Sequence, residues 1–160
     1  MKKCMVCAVV FLMFATVFAW MPAPAKAADF EELTFDQMET LVKVNPGKIV
    51  MINFFATWCP PCREEIPSLI RIRESYGKDK LLLIGASVDE DDGALKEYVA
   101  KAKINYPVKK AARDLVQIVG ISSIPHMLVF DGKGEVVGNA PGLVPEKVLR
   151  DFIDLHMESE

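Results

Sequence analysis

Two apolar runs, Ile49–Phe55 and Leu81–Val88, constrain the fold more than any other feature of the chain. Both have strand length and neither alternates polar with apolar positions, which suits strands covered on both faces. A helix is expected between them, from about Pro60 to Tyr76, stopped near Gly77. Strands of this kind need a covering layer on each face of their sheet, and helices are one way to supply it.

The flanking segments fit that requirement. Thr34 with Gln37 reads as a capping box, followed by a helical stripe of Phe35, Met38, Leu41 and Val42 that ends in the turn Asn45-Pro46-Gly47. Acidic residues 89–92 lead into a helix near Ala94 to Lys103, with Leu95, Tyr98, Val99 and Ala102 on one face. A shorter helix fits Asp114 to Val119. Met127 to Phe130 and Glu135 to Val137 flank Asp131-Gly132-Lys133-Gly134, a β-hairpin signal. A last helix, about Pro145 to Met157, is expected to bury Val148, Leu149, Phe152 and Ile153. No internal repeat or low-complexity tract interrupts residues 29–160. The order describes an α/β chain with a mixed central sheet and helices on both faces.

The N-terminus is a separate segment. Lys2 and Lys3 precede an apolar run of 18 residues, Cys4 to Met21, and Ala25-Lys26-Ala27 forms an A-x-A cleavage signal. Residues 1–27 therefore read as a signal peptide and residues 28–160 as one domain. An uncleaved membrane anchor is the alternative, since the run reaches the lower edge of spanning length. Cys4 and Cys7 lack the preceding cleavage site that lipid attachment would need, and read as apolar filler. Cleavage would remove three of the 19 basic residues and none of the 22 acidic ones, leaving 16 against 22, a net charge of −6. No basic cluster remains, so nucleic acid is not expected as a partner. Export would place the remaining thiols where disulfides persist.

Those thiols are Cys59 and Cys62, in "FFATWCPPCREEIP" at the end of the first apolar run. The C-terminal edge of strands is where α/β proteins place their sites. A disulfide closing so short a loop adds little stability through chain entropy, so reversibility explains the pair better than strength does. Cys59 falls near the helix N-cap, where free N–H groups and the helix dipole favour thiolate. Cys62, one turn inside, is expected to be more shielded. Cys59 would attack a substrate disulfide and Cys62 would resolve the mixed disulfide. Pro60 and Pro61 suit the first turn but donate no N–H to Cys59, leaving the amide of Cys62 as the nearest local donor. A less stabilised thiolate is more easily oxidised, which points towards a reductant.

"NFFATWCPPCREEIP", "GASVDED" and "VGISSIPHMLVFDGKGEVV", in this order and spacing, resemble the thioredoxin fold. More closely, they resemble its exported TlpA/ResA-like thiol–disulfide oxidoreductases. The resemblance covers residues 49–157. It implies a dithiol/disulfide cycle without a bound cofactor, with Cys59 as nucleophile and Cys62 as resolving thiol. It further implies a cis peptide before Pro125, leaving the backbone of Ile124 to pair with a substrate strand. Trp58 would border the docking surface, and Gly142 would lie near the same edge. Asn53 stands where thioredoxins carry a buried aspartate, whereas Glu65 matches a glutamate of the TlpA/ResA-like branch. Glu65 could accept the proton of Cys62, or be a solvated helix residue like Arg63 and Glu64.

The resemblance implies a periplasmic enzyme that reduces disulfides of exported proteins, with cytochrome c maturation as a pathway; a membrane protein as electron donor and a monomeric state are expected with it. An oxidase or isomerase using the same cysteines is the alternative. A metal-binding module is a distant one. Cys59, Cys62, His126 and His156 are its four candidate ligands, but the histidines are 30 residues apart and one lies near the terminus. No metal is expected. His126 either borders the disulfide or points into the sheet, and His156 is expected to be exposed.

Overall fold

The structure is a computed structural model and describes residues 30–158. The signal segment, its alternative as an anchor, Cys4 and Cys7 lie outside the described residues. The elements are β1 (Glu32–Leu33), α1 (Phe35–Lys43), β2 (Ile49–Phe55), α2 (Pro60–Ser75), β3 (Leu81–Ser87), α3 (Asp92–Ala102), β4 (Val108–Ala111), α4 (Arg113–Val119), β5 (His126–Phe130), β6 (Val136–Pro141) and α5 (Glu146–Glu158). Among the described residues, no helix is long and apolar enough to cross a membrane.

One six-stranded sheet runs in the order β1-β4-β3-β2-β5-β6. β1, β4, β3 and β2 are mutually parallel, while β5 and β6 are antiparallel to their neighbours. All seven residues of β2 are buried, as an uninterrupted apolar run at the centre of a two-sided sheet requires. Alternate residues divide the core. Val50, Ile52, Phe54, Leu128 and Phe130 face α1 and α4, against Met38, Val42 and Leu115. Met51, Met127 and Val129 face α2 and α5, against Leu69, Ile72, Leu149 and Ile153. Burying each such side chain contributes about 1.5–3 kcal/mol.

Local signals explain most boundaries. Thr34 Oγ1 accepts from Gln37 N at 3.2 Å and Gln37 Oε1 accepts from Thr34 N at 3.1 Å, the reciprocal capping expected. α3 starts at Asp92 rather than Ala94, because Asp91 Oδ1 accepts from Gly93 N and Ala94 N. In the hairpin, Asp131 Oδ1 accepts from Lys133 N and Glu135 N, and Gly134 takes φ +82°.

Three findings depart from the sequence reading. β1 and β4 carry little apolar patterning: one has two residues, and the other is Val-Lys-Lys-Ala with every position half-buried. Pairing with the sheet, not local preference, makes them strands. Val148 is 52% exposed, because the buried arc of α5 centres on Leu149 and Ile153. His156 is half-buried: its ring lies 4.2 Å from that of Phe152, with Nδ1 2.8 Å from Phe152 O.

Candidate active site

The turn from β2 into α2 places Cys59 at the helix N-cap, with Pro60 and Pro61 as the first two helical residues. Cys59 and Cys62 form a disulfide with Cα atoms 5.3 Å apart. Cys59 Sγ accepts from Cys62 N at 3.3 Å, the donor that the two prolines leave available. Exposure is 4% for Cys59 and 0% for Cys62, so what little access exists belongs to Cys59.

The loop before β5 closes over the pair. The Ile124–Pro125 peptide is cis, and Ile124 O lies 3.8 Å from Cys59 Sγ. The sulfur of a disulfide carries no proton, so this is a contact and not a hydrogen bond. Pro125 is buried and Ile124 half-buried. Gly142 N donates to Pro125 O at 2.8 Å, with Gly142 at φ +84°, which ties the end of β6 to this loop. Trp58 is 67% exposed beside the disulfide; Arg63 and Glu64 are exposed too, the Arg63 guanidinium lying 6.0 Å from the centre of the Tyr98 ring.

Glu65 is not the solvated residue its neighbours are. It is 2% exposed, one helical turn after Cys62 on the buried side of α2. Its Oε2 accepts from Asn53 Nδ2 at 2.7 Å and its Oε1 from Val144 N at 2.9 Å. Burial pushes its pKa above the ordinary carboxylate value, against the lowering pull of the Val144 and Asn53 bonds. The position that lacks the thioredoxin aspartate therefore has a role of its own: Asn53 holds the carboxylate of Glu65. Asn53 Oδ1 itself has no hydrogen-bond partner.

His126 points into the sheet and away from the disulfide. Consecutive strand residues face opposite sides; its ring meets Phe54 edge-on at 6.4 Å on the α1 face, and Nε2 contacts Asn139 Oδ1. Among the described residues, no group of three or more His, Cys, Asp or Glu side chains is placed to hold a metal ion. The sequence reading also missed Asp89, buried within "GASVDED", whose oxygens accept from Thr57 N and the Thr57 hydroxyl. An acidic run at a strand end gives no sign that one member turns inward.

A six-stranded mixed sheet with a Cys-X-X-Cys disulfide at a helix N-terminus, packed against an X-cis-Pro peptide, defines a thioredoxin-class redox protein. The comparisons with known proteins agree. The thioredoxin-like family matches residues 47–136, and the chain belongs to it. It is similar to the thioredoxin-like protein YneN of Bacillus subtilis, with 25% identity over 133 residues, 81% of this chain and 78% of that one. It is also similar to the thiol–disulfide oxidoreductase ResA of Bacillus thuringiensis subsp. konkukian, with 27% identity over 67% of this chain and 62% of that one. The crystal structure of a thiol:disulfide interchange protein from Chlorobium tepidum superposes with a TM-score of 0.67 and 30% identity, over 72% of this chain and 83% of that one. The protein is a thiol–disulfide oxidoreductase with the redox pair Cys59–Cys62.

Proposed function

We propose that the protein is an exported dithiol reductant of protein disulfides, with Cys59 as nucleophile, Cys62 as resolving thiol and Glu65 as proton acceptor. The observation that carries this reading is the buried Glu65 carboxylate, held by Asn53 and Val144 N one turn from a Cys62 with no exposure. In the reduced protein, Cys59 thiolate attacks a substrate disulfide. A Cys59–substrate bond forms and one substrate thiolate leaves. Cys62 then gives its proton to Glu65, and its sulfur attacks Cys59 Sγ. The intramolecular disulfide forms as the second substrate thiolate departs. The protein has lost two electrons and the substrate has gained two.

One feature supports a reductant over an oxidase. Pro60 and Pro61 withhold N–H groups, so Cys62 N is the backbone amide that reaches Cys59 Sγ. Fewer donors stabilise the thiolate less, which favours the disulfide form and lowers the potential. Trp58, Ile124 and Pro125 surround Cys59 as a docking surface on which the backbone of Ile124 pairs with an extended substrate strand. The leader read in residues 1–27, ahead of a domain from 28 to 160, supports action in the periplasm. The leader is either removed or kept as an anchor. Electrons would then come from a membrane protein. Disulfides of exported proteins are the substrates, apocytochrome c among them.

Equilibration of the Cys59–Cys62 couple with glutathione or dithiothreitol tests the reading. A potential below about −230 mV is expected of a reductant, whereas one above about −180 mV would establish the oxidase or isomerase alternative.

A further inference from the structure

Asp89 is a buried carboxylate that the exchange chemistry does not use. It lies two residues past the end of β3 and is 5% exposed. Oδ1 accepts from the Thr57 hydroxyl at 2.6 Å, and Oδ1 and Oδ2 lie 3.2 and 3.0 Å from Thr57 N. Ser87 Oγ donates to Oδ2 at 2.7 Å and accepts from Asp89 N at 3.0 Å. These donors are all neutral. A desolvated carboxylate is costly, and it persists only where its hydrogen bonds are made.

What those bonds hold is short. Thr57 is the second residue of the turn Ala56-Thr57-Trp58-Cys59 that joins β2 to α2. Cys59 N closes the turn onto Ala56 O at 3.2 Å, and Val88 N donates to Phe55 O at 2.9 Å just below. Trp58 is 67% exposed, so its own packing does little to orient it. The tether from β3 to Thr57 supplies the orientation that packing does not.

We propose that Asp89 is a positioning residue for substrate docking, fixing through Thr57 the turn that presents Trp58 and seats Cys59 Sγ against Ile124 O. The inference rests on the docking surface proposed above and deepens it. Asp89 acts on recognition of a macromolecular disulfide rather than on thiol exchange itself. A small disulfide needs only access to sulfur, whereas a protein strand needs Trp58 and Ile124 O in register.

The test is single-turnover oxidation of the pre-reduced full-length protein, followed as loss of free thiol. Insulin serves as the protein disulfide and hydroxyethyl disulfide as the small one. Wild type is compared with Asp89→Asn, Thr57→Val and Thr57→Ser. Thr57→Val keeps the shape of the side chain and loses the hydroxyl bond, so it remains informative if Asp89→Asn fails to fold. The ratio of insulin to hydroxyethyl disulfide reactivity should fall about tenfold in Asp89→Asn and Thr57→Val, through a higher half-saturating insulin concentration rather than a lower limiting rate. Thr57→Ser should restore it. Equal insulin reactivity in wild type and variants, a shared zero included, overturns the inference. So does loss of both reactivities in the same proportion, which would mark Asp89 as a part of the fold alone. A wild type inert towards hydroxyethyl disulfide would instead refute the proposed exchange chemistry.

Discussion

Glu65→Gln removes a proton acceptor while leaving both of its hydrogen bonds within reach. The amide oxygen of the new side chain can still accept from Val144 N, which Glu65 holds at 2.9 Å. Asn53 now donates to the carboxylate at 2.7 Å, and its own Oδ1 has no partner. Turned over, the Asn53 amide would accept from the amide nitrogen of the variant. The fold should therefore tolerate the change. Chemistry should not: a positioned base is worth about 10²–10⁴ in rate. Because water can replace Glu65 in part, we expect the low end, about 10²-fold or about 2.7 kcal/mol in the resolving step. Stopped-flow exchange between about pH 5 and pH 9 reads this, with the exposed Glu64→Gln as control. The sign with pH is specific. Burial raises the Glu65 pKa above 4.5, so at low pH wild type and variant both lack a base. The rate difference should open as pH rises through the raised value. Stability follows the same window. Native Glu65 keeps its proton to a higher pH than the unfolded chain does. Wild-type stability should therefore fall as pH rises from 4.5 to the raised value, while the Glu65→Gln variant shows no such fall. Glu64→Gln and Glu65→Gln behaving alike across the range would refute the proton-acceptor role.

Cys62→Ser should accumulate a mixed disulfide through Cys59, detectable by mass spectrometry of the trapped adduct; trapping through any other residue would overturn the assignment of the nucleophile. Asn53→Ala strips Glu65 of a donor that pulls its pKa down. The pH window of stability loss should extend upward, and urea denaturation should show a cost of about 1–3 kcal/mol that grows with pH. Tyr106 is 5% exposed with a hydroxyl that finds no hydrogen-bond partner, and burial raises its pKa. Tyr106→Phe should be neutral or stabilising by about 1 kcal/mol in thermal denaturation; a loss of that size would mean the hydroxyl is satisfied.

Periodicity and punctuation made most of the architecture legible in the chain itself. A continuous apolar run such as Ile49–Phe55 can only be buried on both faces, and Thr34 with Gln37 or Asp131 with Gly134 set boundaries by bonds within a few residues. The redox pair was legible for the same reason, since Cys59 and Cys62 are neighbours along the chain and their helical setting follows from Pro60 and Pro61. These are local matters. What the tertiary structure decided is everything that depends on residues distant in sequence. β4 is a strand because β1 and β3 flank it, although its own residues barely favour one. Glu65 and Glu64 are the same residue type one position apart, and only the packing of α2 on the sheet sends one to Asn53 and the other to water. Asp89 turns inward because Thr57, 32 residues earlier, brings it two donors. His126 follows the strand's alternation into the α1 face, although its neighbour Pro125 lies at the disulfide loop. The sequence by itself determined the strongly patterned elements and where the sulfurs sit. Which carboxylates are buried, and which atoms they hold, was decided by long-range packing, because desolvation depends on the whole surroundings of a side chain and not on its neighbours along the chain.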